Sequence, residues 1–114
     1  MSKEPKTARD MIYTLPQRLL KDKVEDQALH RFHLKLDGPT GGNFTVTLKN
    51  KKVVVLDGLV DEPTCEIKAS AKDFEDLQRG KGNPALMFMM GKIKVSDLSE
   101  VLRFVEYFDK IHPY

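Results

Sequence analysis

Short segments in which apolar and polar residues alternate occupy the middle of the chain. The four segments are FHLKLD at 32–37, NFTVTLKN at 43–50, KVVVLDG at 52–58 and TCEIKAS at 64–70. A period of two places apolar side chains on one face of a strand, and the third segment is rich in β-branched residues, which favour strands. Asn50 and Lys51 predict a tight turn between the second and third strands, which would form a hairpin. Since no helical pattern separates the four segments, we expect a mostly antiparallel sheet.

Helical spacing of apolar residues appears on both sides of this region. It runs from about residue 8 to residue 20, where Pro16 predicts a division into two short helices. AKDFEDLQRG at 71–80 predicts a second helical region that ends at Gly80. A last helix, capped by Ser96 or Asp97, follows near the C-terminus. Its predicted apolar face consists of Leu98, Val101, Leu102, Val105 and Phe108.

The segment GKIKVSD at 91–97 alternates lysines with Ile93 and Val95, which predicts a fifth strand. Each helix has one apolar face, so the economical arrangement is a layer of helices on one face of the sheet. We therefore predict an α+β fold with a five-stranded, twisted, mostly antiparallel sheet. The chain would form a single domain over residues 1–114, with residues 1–6 as a flexible tail.

The run ALMFMM at 85–90 has no polar side chain. Such a run must be buried in the protein or against something else. Methionine is flexible and polarisable, so three methionines beside Phe88 suit the wall of a cavity that accepts ligands of different shapes. The other interpretation, that the run fills the core under the last helix, stays open on the sequence alone.

Composition and charge exclude several classes of protein. The chain has 114 residues, of which 40% are hydrophobic and 32% charged, as in an ordinary soluble globule. Its net charge of +2 comes from well-mixed residues and gives no case for nucleic-acid binding. No apolar run approaches the roughly 18 to 20 residues that span a bilayer, and the polar N-terminus lacks the apolar core of a signal peptide. A cytoplasmic location is therefore expected.

The reactive side chains form no catalytic or metal-binding motif. Cys65 lies in an alternating segment, where a buried strand thiol is favoured over a nucleophile. His30 and His33 are three residues apart, so a strand would place them on opposite faces and away from a shared metal. GKGNP at 80–84 is too short for a phosphate-binding loop and is taken as a turn. We therefore expect a non-enzymatic protein with no metal and no cofactor.

Lysines alternate with the apolar residues of the predicted strands and would project from the polar face of the sheet. They are Lys35, Lys49, Lys52, Lys68, Lys92 and Lys94. A solvated outer face is the simpler interpretation. The alternative is transient contact with anionic lipid at a membrane surface.

The motifs between Cys65 and Asp97 together resemble the sterol carrier protein 2 family. They are a strand, an acidic-Phe-x-x-Leu helix at 73–77, the GKGNP loop, the apolar run and the Gly-Lys-Ile-Lys strand at 91–94. The similarity covers about residues 8–110. It implies a twisted five-stranded sheet with helices on one face and an apolar tunnel between them. It also implies lipid binding and transfer, with sterols, fatty acids and acyl-CoA esters as ligands.

Two functional hypotheses follow. The first is a lipid carrier of broad selectivity that shields an apolar tail between helices and sheet, with the last helix as a gate. The second is an interaction module with a filled cavity that docks onto an enzyme acting on lipids or acyl-CoA. The predicted cavity residues are Met11, Leu15, Leu19, Phe32, Leu34, Phe44, Val46, Phe74, Leu77, Leu86, Met87, Met89, Met90, Leu102, Val105 and Phe108.

Overall fold

A computed structural model describes residues 7–111, so the predicted tail at 1–6 lies outside the described residues. The elements in chain order are α1 (Ala8–Tyr13), α2 (Leu15–Arg18), β1 (Leu29–Asp37), β2 (Gly42–Lys49), β3 (Lys52–Asp57), β4 (Cys65–Ser70), α3 (Ala71–Gln78), α4 (Pro84–Met89), β5 (Ile93–Val95) and α5 (Leu98–Glu106). A short 3-10 helix, Lys21–Lys23, lies between α2 and β1. The predicted division of the first helix is confirmed, since Pro16 lies in the first turn of α2, where its missing N–H costs nothing.

The five strands form one mixed sheet in the order β3-β2-β1-β4-β5. The pairings β1/β2, β2/β3 and β4/β5 are antiparallel, and β1/β4 is parallel, with Phe32 opposite Cys65. The α+β fold with a mostly antiparallel sheet is thus confirmed. The parallel pair arises because the chain leaves edge strand β3 and crosses to the other side of β1 before β4 begins.

Alternation along the strands builds the core as predicted. Phe32, Leu34 and Leu36 of β1 are buried, as are the inward residues of β2 and β4. These side chains form one cluster with buried residues of the helices, including Ile12, Leu15, Phe74, Val101 and Phe104. The helices therefore cover one face of the sheet. In the centre, the rings of Phe32 and Phe104 have centroids 4.1 Å apart.

Side-chain caps set the starts of the helices. Ser70 Oγ accepts a hydrogen bond of 3.0 Å from the Asp73 amide at the start of α3. Asp97 Oδ1 does the same for the Glu100 amide at α5, at 3.3 Å. Each cap satisfies one of the free N–H groups of the first helical turn. Gly80, with φ of +76°, follows α3 in the left-handed conformation that ends helices, as expected.

On the opposite face of the sheet, two residues depart from simple alternation. His33 and Thr45 point away from the helices and are nevertheless buried. The loop after β3 folds over them: Thr45 Oγ1 donates to the Gly58 carbonyl at 2.7 Å and accepts from the Val60 amide at 3.0 Å. His33 Nε2 lies 2.9 Å from the Val60 carbonyl, which can only accept, so Nε2 carries the proton. This loop covers part of the face that was expected to be solvated.

The predicted β2–β3 turn gives a direct test of backbone strain. Asn50 and Lys51 have φ of +54° and +58°, as a two-residue hairpin of type I′ requires. Asparagine tolerates this conformation, whereas lysine is strained in it by about 1 kcal/mol. Lys51→Gly should therefore raise the free energy of unfolding by about 0.5–1 kcal/mol, measured by urea denaturation. Asp26→Asn is the control, because it removes the Lys51–Asp26 ion pair of 2.9 Å without changing the turn. Equal or lower stability of the glycine variant would contradict the assignment of strain.

Candidate functional site

A small cleft lies between α2, α3 and α5 on the helical side of the sheet. Its lining residues are Arg18, Leu77, Gln78, Phe104, Val105, Phe108, Asp109 and Lys110. The cavity volume is about 20 Å³, which is room for about one water molecule. The cleft has an apolar floor of aromatic and aliphatic side chains and a polar rim. A ligand with an apolar tail would need this cleft to widen.

Arg18 is the charged residue of the cleft that lies deepest. Its guanidinium donates to Thr14 Oγ1, to Gln78 Oε1 and to the carbonyls of Met11 and Asp109, at 2.7–2.9 Å. All four acceptors are neutral oxygens. Desolvation by burial lowers the pKa of Arg18 to about 10, although the nearby charge of Asp109 opposes this. The group remains a cation at pH 7, and its four hydrogen bonds leave one N–H on Nη1 for a carboxylate or phosphate.

The segment after α5, residues 107–111, forms the outer wall of the cleft. The Leu20 amide donates to the Tyr107 carbonyl at 2.7 Å, and the Asp109 amide donates to the Arg18 carbonyl at 2.8 Å. Leu19 and Phe108 form an isolated antiparallel bridge between these two contacts. We call residues 107–111 the C-terminal strap, because these bonds tie it to the N-terminal helices. Widening the cleft on this side requires breaking them.

The predicted cavity residues separate into three groups. Those in the centre of the fold are close-packed: Met11, Leu15, Phe32, Leu34 and Val46 have 0% exposed surface. A water-sized void beside them would appear as exposed surface, so no such void adjoins these side chains. Phe44 and Phe74 are similarly buried. Leu77, Val105 and Phe108 do line the cleft, with Leu19 beside Phe108.

The third group corrects the sequence interpretation. Residues 85–90 lie mostly in α4, and only Met87 is buried. Leu86, Met89 and Met90 are exposed by 53%, 80% and 61%, so they form no inner wall in this structure. Met87 packs into the core, and the helical turn at this place directs its three neighbours away from the sheet. A six-residue run without polar residues has no periodicity from which this orientation could be read.

The inward face of α5 is also rotated from its predicted position. Leu102 of the predicted apolar face is 38% exposed, whereas Phe104, which lies outside that predicted face, is buried against Phe32. Val101 and Phe104 are three residues apart and lie on the same side of α5, so the buried stripe runs through them. Leu102 lies beside this stripe and is turned towards solvent. Arg18 and Gln78 were likewise missed, because their role depends on contacts between distant segments. Arg18 ends the short helix LPQR, whose sequence alone does not mark the arginine as part of a site.

A buried polar pair lies near the cleft, between β1 and α5. Nδ1 of His30 is 2.6 Å from Oε2 of Glu100, a close polar contact without the alignment of a hydrogen bond. Nε2 of His30 lies 3.4 Å from the Tyr107 hydroxyl. These contacts join α5 and the C-terminal strap to the central strand. His30 and His33 lie on opposite faces of β1, as predicted, so they do not share a ligand.

Within residues 7–111, no group of three or more His, Cys, Asp or Glu side chains is arranged to bind a metal ion. None of the described helices has the length and hydropathy needed to cross a bilayer.

Comparison with known proteins agrees with this fold. The model of the SCP-2 sterol transfer family matches residues 12–109, which is most of the chain. The chain belongs to this family. SCP-2 domains bind and transfer lipids. A search of curated proteins gives no significant match to this SCP-2 chain.

Solved structures show the same SCP-2 fold in different settings. Palmitated SCP2L2 from Aedes aegypti has a TM-score of 0.66 at 17% identity, over 95% of this chain and all of that one. The inverting sec-alkylsulfatase Pisa1 from Pseudomonas sp. has a TM-score of 0.78 at 16% identity, over 92% of this chain. This chain spans 17% of the length of that sulfatase. The ubiquinone synthesis protein UbiJ-SCP2 has a TM-score of 0.58 at 17% identity, over 76% of this chain and 72% of that one.

Cys65 of this SCP-2 domain gives a prediction about reactivity. The side chain is 1% exposed, and burial raises the pKa of its thiol above the ordinary value of 9.0. At pH 8, disulfide reagents should therefore react at least about a hundredfold more slowly with the folded protein than with the protein in urea, measured spectroscopically. The thiol ionises at a lower pH in the unfolded chain than in the folded protein. The free energy of unfolding should therefore fall as the pH rises above about 9. Reaction of the folded protein as fast as a free thiol such as N-acetylcysteine would refute the assignment of Cys65 as buried and inert.

Proposed function

We propose that this chain is a non-enzymatic lipid-binding domain of broad selectivity, which accepts fatty acids, acyl-CoA esters or sterol-like molecules. The apolar part of the ligand would enter between α3, α5 and the C-terminal strap. The observation that carries the proposal is the partly buried, positively charged Arg18 in the wall of an apolar cleft. An anionic head group beside Arg18 and an apolar tail against Phe104 and Phe108 match the two halves of a fatty acid.

The small volume of the cleft agrees with the energetics of an unliganded carrier. An empty apolar void costs about 24 cal/mol per Å³, so a ligand-sized void of roughly 300 Å³ would cost about 7 kcal/mol. That is comparable with the total stability of a domain, about 5–15 kcal/mol. A collapsed cleft that opens only around its ligand avoids this cost. The ligand would then stabilise the folded state and raise the melting temperature.

The second candidate function is an accessory module that docks onto a lipid or acyl-CoA enzyme. Two observations favour it: the centre of the fold is close-packed, and α4 leaves apolar side chains exposed. The sulfatase Pisa1 provides a parallel, since the fold there is part of a larger enzyme. In such a module the cleft would stay closed and binding would use the surface. A cytoplasmic location, expected from the sequence, stays a prediction in both cases.

Blocking the cleft separates the two functions. Leu77→Trp places a large ring where the lipid tail would lie, and should reduce palmitate binding at least about tenfold. Leu102→Trp is the matched control, because the same substitution on the exposed side of α5 should leave binding unchanged. Binding is measured by native mass spectrometry and by the rise in melting temperature with added palmitate. Palmitate bound equally by both variants would contradict the cleft as the site, and no binding by the wild type would favour the accessory module.

The charge of Arg18 provides a second test. Arg18→Met should remove the preference for palmitate over methyl palmitate, which the wild type should bind about tenfold more weakly. Arg18→Lys keeps the charge and should retain most of the preference. The variant should also lose about 1–3 kcal/mol in free energy of unfolding, because Gln78 and Thr14 lose a hydrogen-bond partner. Comparing two ligands on the same variant corrects for this loss. An unchanged preference in Arg18→Met would exclude Arg18 as the head-group contact.

A further inference from the structure

The two edges of the sheet differ in length and in charge. β5 forms one edge with three residues, and Lys94 stands in its middle. β3 forms the other edge with six residues, and its middle part, VVVL at 53–56, carries no charge. Edge strands are commonly kept short or carry a charged residue, a proline or a bulge, because open main-chain groups recruit other strands. β5 has this protection, and the middle of β3 lacks it.

The register of β3 on β2 shows which main-chain groups of β3 are open. The Gly58 amide donates to the Asn43 carbonyl at 2.8 Å, so these opposed residues form a hydrogen-bonded pair. Such pairs recur at every second position of an antiparallel ladder. Val53, Val55 and Asp57 lie at the alternate positions, so their N–H and C=O groups point away from β2. These groups have no hydrogen-bond partner in the described part of the chain.

The side chains of β3 add apolar surface to this open edge. Val53 and Val55 are half-buried and pack against the core on the helical side of the sheet. Val54 and Leu56 alternate with them, point to the outer face and are 55% and 47% exposed. A second strand along β3 would therefore cover apolar side chains while it pairs with the open main-chain groups.

A second copy of β3 fits this edge in one antiparallel register. When Val55 lies opposite Val55 of the other copy, Val53 lies opposite Asp57 of the other copy on both sides of the two-fold axis. All three N–H and all three C=O groups of each edge are then paired, in six hydrogen bonds. A shift by one residue would place the side chains on opposite faces, and a shift by two would leave end groups unpaired. The carboxylate of Asp57 brings no unbalanced charge, because Arg9 is ion-paired with it at 2.8 Å.

The same register brings the exposed side chains together on the outer face. Val54 then lies opposite Leu56 of the other copy, in pairs whose Cα atoms are about 4.5 Å apart. Because the axis is perpendicular to the sheet, the two sheets would join into one of ten strands, with both helical layers on the same side. The free edges of this larger sheet are the two short, lysine-bearing β5 strands, so the pairing closes at two copies.

We propose that this protein forms a two-fold symmetric dimer in which β3 pairs with β3 of a second copy. The strand supplies six residues from each copy, against about 20–30 in a standard interface. The dimer is therefore weak and exchanges with monomer, with a dissociation constant of roughly 10–100 µM. The proposal goes beyond ligand binding, because it uses the edge of the sheet and no residue that lines the cleft.

The first test is sedimentation equilibrium of the full chain from about 10 µM to about 1 mM. The wild type should change from monomer to dimer and form nothing larger. Val55→Pro removes the N–H at the centre of the interface, and should raise the dissociation constant at least about tenfold. The fold should tolerate this proline, since the Val55 N–H points away from β2. Leu86→Ser with Met89→Ser is the control, because it removes more exposed apolar side chains from α4 and should leave dimerisation unchanged.

A second test uses charges in place of the two exposed side chains and leaves the main chain intact. Val54→Glu with Leu56→Lys places opposite charges across both outer pairs, whereas Val54→Glu with Leu56→Glu places like charges there. The first variant should dimerise at least about tenfold more tightly than the second. Net charge works against this result, because the second variant lowers the chain from +2 to zero and the first leaves it at +2. Melting temperatures measured on the monomers should show that both variants are folded.

The register itself is tested by disulfide formation under mild oxidation. Val55→Cys places two cysteines with Cα atoms about 5.5 Å apart across the axis, within reach of a disulfide bond. Val53→Cys is the matched control on the same face of β3. Its two copies lie four positions apart along the strands, about 13 Å, and should not be cross-linked. Cys65, the one cysteine of the sequence, is buried and should not react.

Four outcomes would overturn the proposal. They are a wild type that stays monomeric throughout the concentration range, assembly that continues beyond two copies, loss of the dimer in Leu86→Ser with Met89→Ser but not in Val55→Pro, and cross-linking of Val53→Cys as readily as of Val55→Cys. The third would place the interface on α4. The fourth would show a different register or random collision.

Discussion

The contact between Phe32 and Phe104 joins the sheet to the helical layer at the centre of the molecule. Phe32 lies on β1, the strand that pairs with both neighbours and connects the hairpin side of the sheet to β4 and β5. Phe104 brings α5 onto that strand, and its ring also packs against Phe108 of the C-terminal strap, at 4.9 Å between centroids. Together with the buried side chains of Val101 and Tyr107, this chain of rings attaches α5 and the strap to the sheet. The position of the cleft therefore depends on it.

This attachment also explains why the candidate site lies at the periphery of the helical layer. The centre is occupied by side chains with no adjoining void, as close packing requires. A space of about one water molecule occurs where α2, α3 and the strap meet, and where polar groups such as Arg18 and Gln78 interrupt the apolar packing. An apolar ligand has to displace protein contacts to gain room. The contacts at this edge are the two backbone hydrogen bonds of the Leu19–Phe108 bridge, the hydrogen bond from Arg18 to the Asp109 carbonyl and the packing of Phe108 against Phe104.

Elements with a periodic pattern of apolar residues could be predicted from the sequence, whereas features that depend on tertiary contacts could not. Alternation placed Phe32, Phe44 and Ile67 correctly, because a period of two assigns each side chain to a face. The parallel pairing of β1 with β4 was not foreseen, since it depends on a crossover rather than on local pattern. The orientation of α4 and the burial of His33 were missed for a related reason. The orientation of α4 follows because Met87 is the residue of the run that is buried in the core. His33 is buried because the loop after β3 returns over the outer face of the sheet.

The C-terminal strap has a consequence for affinity. If lipid enters only when the strap has separated from the N-terminal helices, the observed dissociation constant equals the intrinsic one divided by the fraction of molecules in the open state. Each bond that holds the strap closed thus weakens net binding, even though it touches no ligand. For a protein that must release its cargo as well as take it up, such a population constraint keeps the affinity moderate. Residues 18–20 and 107–109 would then set how tightly lipid is held, at a distance from the apolar surface that receives it.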